Sequence, residues 1–387
     1  MSPPYTKRLG CVKGLREEVP MESIAGPVHS SGGSSQVQSG PRILVVGCGA
    51  IGGVIAAHLA ELQHDVTVLT TNPAIAAAVR THGLRVRGES PPVPSAPRGV
   101  LEALAPDVAP FDYVLLAVQP PQVEAAAKSV LGSLKGDGKL VCFQNGLCEE
   151  RIAALLGAER VLGAVVAWGA SMVEPGVYDR TSAGGFAIGR LDGATDPSLE
   201  EIGRVLEAVG PVTQTQNLRG ARWSKLAINC AISTLGTIGG DRLGALMRLR
   251  YARRLGLEVM TEVVAVARAE RVRLEKVSGT IDLDWIALTD AERAASGSPS
   301  LVAKHGLMLA VGARYRRLRS SMLAAIERGR APAVDFLNGE VVERGKRHGI
   351  RVPANAAAHE LVWAIARGEA NPAHATLRDL YERTRRG

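Results

Sequence analysis

The chain has 387 residues, which is long for one domain and comfortable for two. Its 46% hydrophobic and 22% charged residues are ordinary for a soluble globular protein, and 4% aromatic residues argue against nucleic-acid binding by base stacking. The formal net charge of +8 suits an anionic ligand but is equally compatible with none. Because the basic residues are scattered, apart from short runs at Arg314 to Arg319 and Arg383 to Arg386, we predict no nucleic-acid partner.

The five cysteines are odd in number and form no C-x-x-C pair, so we expect neither a disulfide framework nor a metal site. They are Cys11, Cys48, Cys142, Cys148 and Cys230. No apolar stretch approaches membrane-spanning length, and residues 1–40 contain no signal-peptide core. The sequence therefore predicts no membrane contact and a cytoplasmic location.

Residues 1–40 are predicted to be a disordered tail. The segment 26–40 is rich in Ser, Gly, Gln and Pro and has no apolar period, so it cannot bury enough surface to order itself. Either Met1 or Met21 is compatible with a start.

From Arg42 onward, short buried-strand runs alternate with helical patterns, which predicts a parallel, doubly wound sheet. The expected strands are 43–46, 65–70, 113–118 and 140–143, and the expected helices are 54–62, 74–82, 123–134 and 198–209. The β-rich patches of 161–189 are expected to add mixed strands at the sheet edge. From about Arg219 the pattern is nearly all helical, with breaks at 278–282 and 295–300 around a short helix at Trp285.

The strongest local signal is the G-x-G-x-x-G run Gly47-Cys48-Gly49-Ala50-Ile51-Gly52, which follows a strand and opens a helix. In that setting Gly47 permits the tight turn, Gly49 lets the backbone approach a pyrophosphate, and Gly52 lets the helix pack on the strand. Free N–H groups at the helix start, including those of Ala50 and Ile51, suit the anion. The alternative is a plain glycine-rich turn.

The end of the second strand indicates which dinucleotide is bound. An NAD site usually places Asp or Glu there to hold the ribose 2′-hydroxyl. Here the residues are Leu69-Thr70-Thr71-Asn72, and Asp65 comes too early. The absence of an acid favours NADP, with Thr71 as the candidate contact to the 2′-phosphate; alternatively, Asn72 and Pro73 form only a turn and helix cap.

We therefore divide the chain into the tail at 1–40, an NADP-binding Rossmann-type α/β domain at 41–215, and an all-α substrate domain at 216–387. Lys225, Asn229 and Ser233 open the helical part and lie four residues apart, so they share one helical face. The rest of that helix is apolar. The polar stripe lines either a cleft or open solvent.

Four stretches in order resemble the ketopantoate reductase (2-dehydropantoate 2-reductase) family, over about residues 42–365. They are Gly47 to Gly52; Gln144-Asn145-Gly146 after a strand; Trp223-Ser224-Lys225 with Asn229; and a late block with Ser320-Ser321-Met322, Asp335, Asn338-Gly339, Gly349-Ile350 and Pro353.

The resemblance implies NADPH-dependent reduction of ketopantoate to pantoate, a step of pantothenate biosynthesis. It makes Lys225 the catalytic residue, whose ammonium stabilises charge on the ketone oxygen and then gives up a proton. It makes Asn229 and Ser321 substrate-binding residues. Asn145, just after a strand, would contact the cofactor and the substrate cleft.

The departures from the family pattern fall on functional positions. Gln119, expected to contact the cofactor, stands where the family has lysine; Ser233, expected to bind substrate, replaces an asparagine; and Thr70 lies near the place of an arginine. Ala325 and Ala333 stand where the family has acids, and the second of these is the catalytic glutamate that orients the lysine and the substrate hydroxyls.

These departures leave three readings open. Either a nearby acid substitutes, or the substrate is a different 2-oxo acid or β-keto compound, or the protein is a non-catalytic NADP-binding sensor. The segment 277–309 is longer than usual for the family and is either a specificity loop or a surface insertion. The arginines between Arg314 and Arg319 either hold an anionic substrate or form a solvated helical face. A homodimer is compatible with the sequence.

Overall fold

The computed structural model describes residues 40–88, 95–105, 107–277, 281–294 and 297–386. The predicted tail lies outside these residues except for Gly40. From Gly40 onward the described chain forms one compact unit.

The strands, in chain order, are β1 (Ile43–Val46), β2 (Val66–Leu69), β3 (Arg85–Arg87), β4 (Gly99–Leu101), β5 (Phe111–Leu116), β6 (Leu134–Cys142), β7 (Val161–Val166), β8 (Gly169–Glu174), β9 (Val177–Ser182), β10 (Phe186–Arg190) and β11 (Val212–Gln214). The helices are α1 (Ala50–Glu61), α2 (Pro73–His82), α3 (Val123–Val130), α4 (Cys148–Leu156), α5 (Pro197–Leu206), α6 (Leu218–Gly239), α7 (Leu243–Arg248), α8 (Arg250–Ala269), α9 (Leu283–Ile286), α10 (Asp290–Ala294), α11 (Pro299–Arg314), α12 (Ser321–Ile326), α13 (Asn338–Arg347), α14 (Pro353–Ala366) and α15 (His374–Arg386).

The main sheet has eight strands in the order β11-β10-β7-β6-β5-β1-β2-β4. All neighbours are parallel except β10, which is antiparallel to β7. The predicted α/β fold with a Rossmann-type sheet followed by helices is confirmed. Apolar strands such as β1 are buried on both faces because helices cover the sheet on either side.

The expectation for 161–189 was half right. β7 and β10 join the sheet edge, but β8 and β9 pair with β3 in a separate three-stranded sheet. That small sheet packs on α1, where a Cβ on Gly53 would lie 2.0 Å from the ring of Tyr178. β8 and β9 therefore pack against α1 in place of joining the main sheet, and the alternation of residues in the sequence does not indicate this contact.

Several element bounds also differ from the sequence prediction. α1 begins four residues earlier than expected, at Ala50, and residue 134 belongs to β6 and not to the preceding helix. The sequence pattern did not predict α4, which is short, or the three-residue strands β3, β4 and β11. The sheet ends at Gln214 and α6 begins at Leu218; the domain limits 41–215 and 216–387 stay a prediction.

The segment 277–309 is largely helical where it is described. The expected short helix at Trp285 is confirmed as α9. Lys304 of α11 is buried, donates to the Ala287 carbonyl oxygen at 2.9 Å and pairs with Glu292 at 2.6 Å. These contacts fold the segment onto itself, so it is not a simple loop.

The arginines between residues 314 and 319 do not share a helical face, because α11 ends at Arg314. Arg319 pairs with Glu327 at 2.5 Å. The expectation of helical spacing in this run was therefore wrong.

A chain of buried polar side chains ties the helices together. Glu262 of α8 accepts hydrogen bonds from the backbone N–H groups of Ala354 and Asn355, both at 2.8 Å, and so caps α14. Asn355 accepts from Asn338 at 2.9 Å, and Asn338 accepts from the Thr234 hydroxyl at 2.5 Å. The network anchors α13 and α14 to α6.

Within the described residues, no helix is long and apolar enough to cross a membrane, and no group of three or more His, Cys, Asp or Glu side chains could hold a metal ion. The cysteines in this part of the chain are buried and unpaired.

We expect Glu262→Ala to lower the free energy of unfolding by about 2–4 kcal/mol, because it leaves the buried start of α14 and Asn355 without their acceptor. Urea unfolding followed by circular dichroism measures the change. Glu360→Ala, on the exposed side of α14, is the control and should stay within about 0.5 kcal/mol of the wild type. Equal stability of the two variants would contradict the structural role of the network.

Candidate active site

The turn between β1 and α1 has the geometry that a dinucleotide requires. Gly47 has φ +94°, and a Cβ there would lie 2.8 Å from Val118 Cγ1. A Cβ on Gly52 would lie 1.9 Å from the Gly47 carbonyl oxygen, whereas a Cβ on Gly49 would meet nothing within 4 Å. The first and third glycines are therefore required by packing, and the middle glycine borders open space.

The start of α1 is open to an anion. Gly49 is the N-cap, no side chain caps the helix, and the first turn carries no acidic residue. Ala50 and Ile51 are half-buried there. A helix start without a side-chain cap has N–H groups and a partial positive charge to offer to a phosphate, so these residues fit a dinucleotide.

The other candidate cofactor residues follow neighbouring strands at the same edge. Thr71 follows β2 and is exposed, Gln119 follows β5 and is exposed, and Asn145 follows β6 and is exposed. Since β6, β5, β1 and β2 are adjacent and parallel, their carboxyl ends meet at one edge, where open α/β sheets bind ligands. The structure thus brings these residues to the same edge as Gly47.

Asn72 and Gln144, which are sequence neighbours of Thr71 and Asn145, stabilise the local structure. Asn72 accepts from the N–H groups of Ala74 at 3.0 Å and Ile75 at 3.3 Å, so it caps α2 as the alternative interpretation supposed. Gln144 is buried and donates to the Leu116 carbonyl oxygen at 2.8 Å. It therefore fastens the Asn145 turn to the end of β5.

Lys225 lies at the same sheet edge. Its Nζ donates to the Val166 carbonyl oxygen, at the end of β7, over 2.7 Å. Burial lowers the pKa of Lys225 to about 7; the nearby Arg222 guanidinium contributes to the lowering, and Glu149 opposes it. The amine therefore changes its protonation state near neutral pH, as a proton donor and acceptor must.

The polar stripe of α6 continues away from the sheet. Asn229 is half-buried, and within the described part of the chain its Nδ2 is a buried donor with no hydrogen-bond acceptor. A buried amide nitrogen without a partner costs free energy, and an oxygen of a bound ligand would satisfy it. Ser233 lies one turn further on and is half-buried.

Ser321 is brought to the same helix by its neighbour. Ser320 donates to the Ser233 carbonyl oxygen at 2.8 Å and caps α12 through the Leu323 N–H at 3.3 Å. Ser321 follows as the exposed first residue of α12. The sequence motif thus contains one serine that fixes α12 to α6 and one that remains free to face a ligand.

Asp335, the acid nearest to Ala333 in the sequence, is held by other side chains. Ala333 begins a 3-10 helix, Ala333–Phe336, that packs on the Asn145 turn, since a Cβ on Gly146 would lie 2.5 Å from the Phe336 carbonyl oxygen. Asp335, two residues on, accepts from Trp363 at 2.8 Å and lies 2.6 Å from His359 Nε2. Asp335 is thus committed elsewhere.

Sequence reasoning missed a buried ion pair between Arg222 and Glu149, both of which act on Lys225. Arg222 lies three residues before Lys225 on α6, and Glu149 lies on α4, a helix that was not predicted. The signal that could have found it is an arginine about one helical turn before Lys225 and next to Trp223.

A glycine turn on a parallel sheet, with a lysine-bearing helix packed on the same strand ends, defines a Rossmann-type oxidoreductase. The model of the ketopantoate reductase PanE/ApbA domain matches residues 43–193, and the model of its C-terminal domain matches residues 217–366. The chain belongs to this family, as the sequence resemblance indicated, and is an oxidoreductase of the NADP-dependent kind that acts on CH–OH groups.

Among curated relatives, the 2-dehydropantoate 2-reductase of Halobacterium salinarum is 29% identical over 321 residues, covering 81% of this chain and 94% of that protein. The 2-dehydropantoate 2-reductase of Pyrococcus horikoshii is 24% identical over 329 residues, covering 85% and 97%.

Among solved structures, a PanE/ApbA family ketopantoate reductase from Ralstonia eutropha JMP134 has TM-score 0.70 and 27% identity, covering 85% of this chain and 99% of its own. A D-mandelate dehydrogenase solved with NADH and anilino(oxo)acetate also has TM-score 0.70, at 18% identity over 88% of this chain and 99% of its own. The second likeness shows the shared fold.

We expect Gly49→Val to abolish NADPH binding without changing the melting temperature, because the added side chain occupies open space that the pyrophosphate would enter. Gly136→Val is the control, since a Cβ there also meets nothing within 4 Å, and it lies in β6 away from the turn. Fluorescence titration and thermal unfolding measure both effects. Undiminished binding by Gly49→Val would mean that the turn is only structural.

Proposed function

We propose that this protein reduces the carbonyl group of a small 2-keto acid with NADPH, and that ketopantoate is its lead substrate. The observation that carries the proposal is the position of Lys225. It is half-buried at the sheet edge that also bears the glycine turn, and its pKa lies at about 7. The names of the curated relatives support ketopantoate in particular.

When bound, the dinucleotide would supply the hydride that reduces the carbonyl carbon of the substrate. Lys225, protonated, donates a hydrogen bond to the carbonyl oxygen, stabilises the negative charge that develops there, and transfers a proton to give the hydroxyl. The Val166 carbonyl, 2.7 Å from Nζ, orients the amine toward the cleft.

The α6 stripe would hold the rest of the substrate. The unsatisfied Nδ2 of Asn229 would donate to a carboxylate or carbonyl oxygen. Ser233 and Ser321 would add hydroxyl donors at the far end of the cleft. In this arrangement the residues near Lys225 bind the keto-acid head, and those near Ser321 bind its tail.

The residues at the ends of β1, β5 and β6 would bind the cofactor. Gly47, Gly49, Ala50, Ile51 and Gly52 would hold the pyrophosphate. Gln119 and Asn145 would contact the remainder of the dinucleotide, because each lies where a parallel strand ends at this edge.

We expect NADPH to bind more tightly than NADH because Thr71, exposed at the end of β2, brings no carboxylate against the 2′-phosphate. Thr71→Asp should reverse the preference by charge repulsion, whereas Thr81→Asp on exposed α2 should not. Titration with both cofactors decides this. Equal affinities in the wild type would contradict the NADP assignment.

We expect Lys225→Met to lower kcat/KM for keto-acid reduction by about 10²–10⁴-fold while cofactor affinity is kept. In the wild type, kcat/KM for reduction should be constant below pH 7 and fall tenfold per pH unit above it, because the protonated amine is lost as pH rises through its pKa of about 7. For oxidation of the hydroxy acid, kcat/KM should instead rise with pH to a plateau above pH 7, because that direction needs the neutral amine as proton acceptor. A reduction rate independent of pH between 6 and 9 would exclude Lys225 as the proton donor.

The missing acid favours a second candidate, a 2-oxo acid other than ketopantoate. Lys225 and the α6 stripe are present, but in the described chain no carboxylate contacts the lysine. A site without that carboxylate suits a substrate tail that lacks hydroxyl groups to be hydrogen-bonded.

Ala333→Glu distinguishes the two substrates. If the protein reduces ketopantoate, the new carboxylate should raise that activity by about 10-fold or more by supplying an acceptor for substrate hydroxyls. If it reduces another 2-oxo acid, its activity on that acid should fall, because a charge enters a site shaped without one. Absorbance assays over a keto-acid panel measure both, with Ala331→Glu, on an exposed position nearby, as control. Cofactor binding without turnover of any keto acid would favour the non-catalytic sensor.

The cytoplasmic location and the homodimer stay predictions.

A further inference from the structure

The guanidinium of Arg222 occupies an unusual position: it is buried on the carboxyl ends of two strands. It donates to the carbonyl oxygen of Cys142, the last residue of β6, at 2.8 Å, and to that of Gln144, two residues further on, at 2.9 Å. It also donates to the Ala164 carbonyl oxygen of β7 at 3.2 Å. Only 2% of Arg222 is exposed. The carbonyls at strand ends carry partial negative charge, so they receive the cation in place of water.

Glu149 balances this charge. It is 1% exposed and forms an ion pair with Arg222. Burial raises the pKa of Glu149, and Arg222 opposes that shift. A buried pair of this kind is a poor source of stability, because the cost of removing two charges from water offsets most of their attraction. The position of the pair near Lys225 indicates another role.

The Arg222–Glu149 pair lies close enough to Lys225 for both charges to act on its amine. Lys225 lies three residues after Arg222, so both side chains point to the same strand ends, Arg222 to Ala164 and Lys225 to Val166. Two cations thus share one sheet edge with a single buried carboxylate. Each guanidinium bond to a strand end also fixes the rotation and height of α6, and with them the place of the amine.

We propose that Arg222 and Glu149 are positioning residues for Lys225, which hold α6 on the ends of β6 and β7 and set the electrostatic environment of its amine. This proposal rests on the proposed function insofar as Lys225 is taken as the proton donor. Its physical content does not depend on that role, because the charge environment is measurable without catalysis.

The two members of the pair act in opposite directions. Arg222 lowers the pKa of Lys225 and Glu149 raises it. The titratable groups that act on the pair are Cys142 of β6, and Cys148 and Glu150 of α4. Burial raises the pKa of both thiols, the second to about 12, so they stay neutral near pH 7. Arg222 and Glu149 are the charged groups that act on the Lys225 amine itself, whereas Glu150 acts on Glu149.

The test measures the pKa of Lys225 directly, by the pH dependence of its trace acetylation, quantified by mass spectrometry in the protein without cofactor. Glu149→Gln should lower the midpoint by about one pH unit, a tenfold change in the protonation equilibrium. Adding Arg222→Met to that variant should raise the midpoint above that of Glu149→Gln alone, because the guanidinium that disfavours the protonated amine is then gone. The double variant removes both charges and so leaves no unpaired buried charge, whereas Glu149→Gln alone leaves the Arg222 guanidinium without its counter-ion.

Glu150→Gln is the matched control. Glu150 is the next residue of α4, and its carboxylate pairs with Arg344 at 2.6 Å and not with Arg222. The Lys225 midpoint should stay at the wild-type value in this variant. Circular dichroism of each variant checks that the fold is kept. If Glu149→Gln alone does not fold, the double variant carries the test: its Lys225 midpoint should lie above the wild-type value, because Arg222 lowers the pKa of Lys225 more than Glu149 raises it.

The outcomes separate the two proposals. An unchanged Lys225 midpoint in a folded Glu149→Gln variant, or an equal shift in Glu150→Gln, overturns the positioning role. A shifted midpoint with the same shift in the pH limb of kcat/KM supports both proposals. A shifted midpoint with an unmoved limb supports the positioning role but rejects Lys225 as the proton donor.

Discussion

The interaction on which the site depends is the buried contact of Arg222 with the carbonyl ends of β6 and β7. It is where the helical part of the chain meets the sheet. A long helix such as α6 has no backbone donors to spare along its length, so only a side chain can bond it to strand ends. An arginine suits this task because its planar group donates to several carbonyls at once.

A second set of ion pairs surrounds this contact and binds α4 to α13. Arg344 pairs with Glu150 at 2.6 Å and with Glu340 at 2.8 Å, and Arg151 pairs with Glu340 at 2.7 Å. These ion pairs join α4, which follows the end of β6, to α13 of the helical part, elements that are far apart in the sequence.

The candidate site combines Lys225, the proposed proton donor, with an alanine at position 333, where the family resemblance implies a glutamate. Lys225 is positioned by strand-end carbonyls and by Arg222, and neither interaction involves residue 333. The amine therefore does not depend on a glutamate there to hold its place. In the proposed function, an alanine at 333 would therefore bear on the choice of substrate more directly than on the lysine itself.

The sequence by itself determined the fold class, the family, the glycine turn and the shared face of Lys225 and Asn229, because each depends on local spacing or on a contiguous motif. It missed α4, the separate small sheet and the pairing of Arg222 with Glu149. Those features depend on contacts between residues far apart in the chain, such as the 73 positions between Arg222 and Glu149, and such contacts leave no local period. The position of Lys225 could be predicted from its motif, but the lowering of its pKa to about 7 was decided only by the tertiary structure. Burial and neighbouring charge are properties of packing, and the order of residues does not specify them locally.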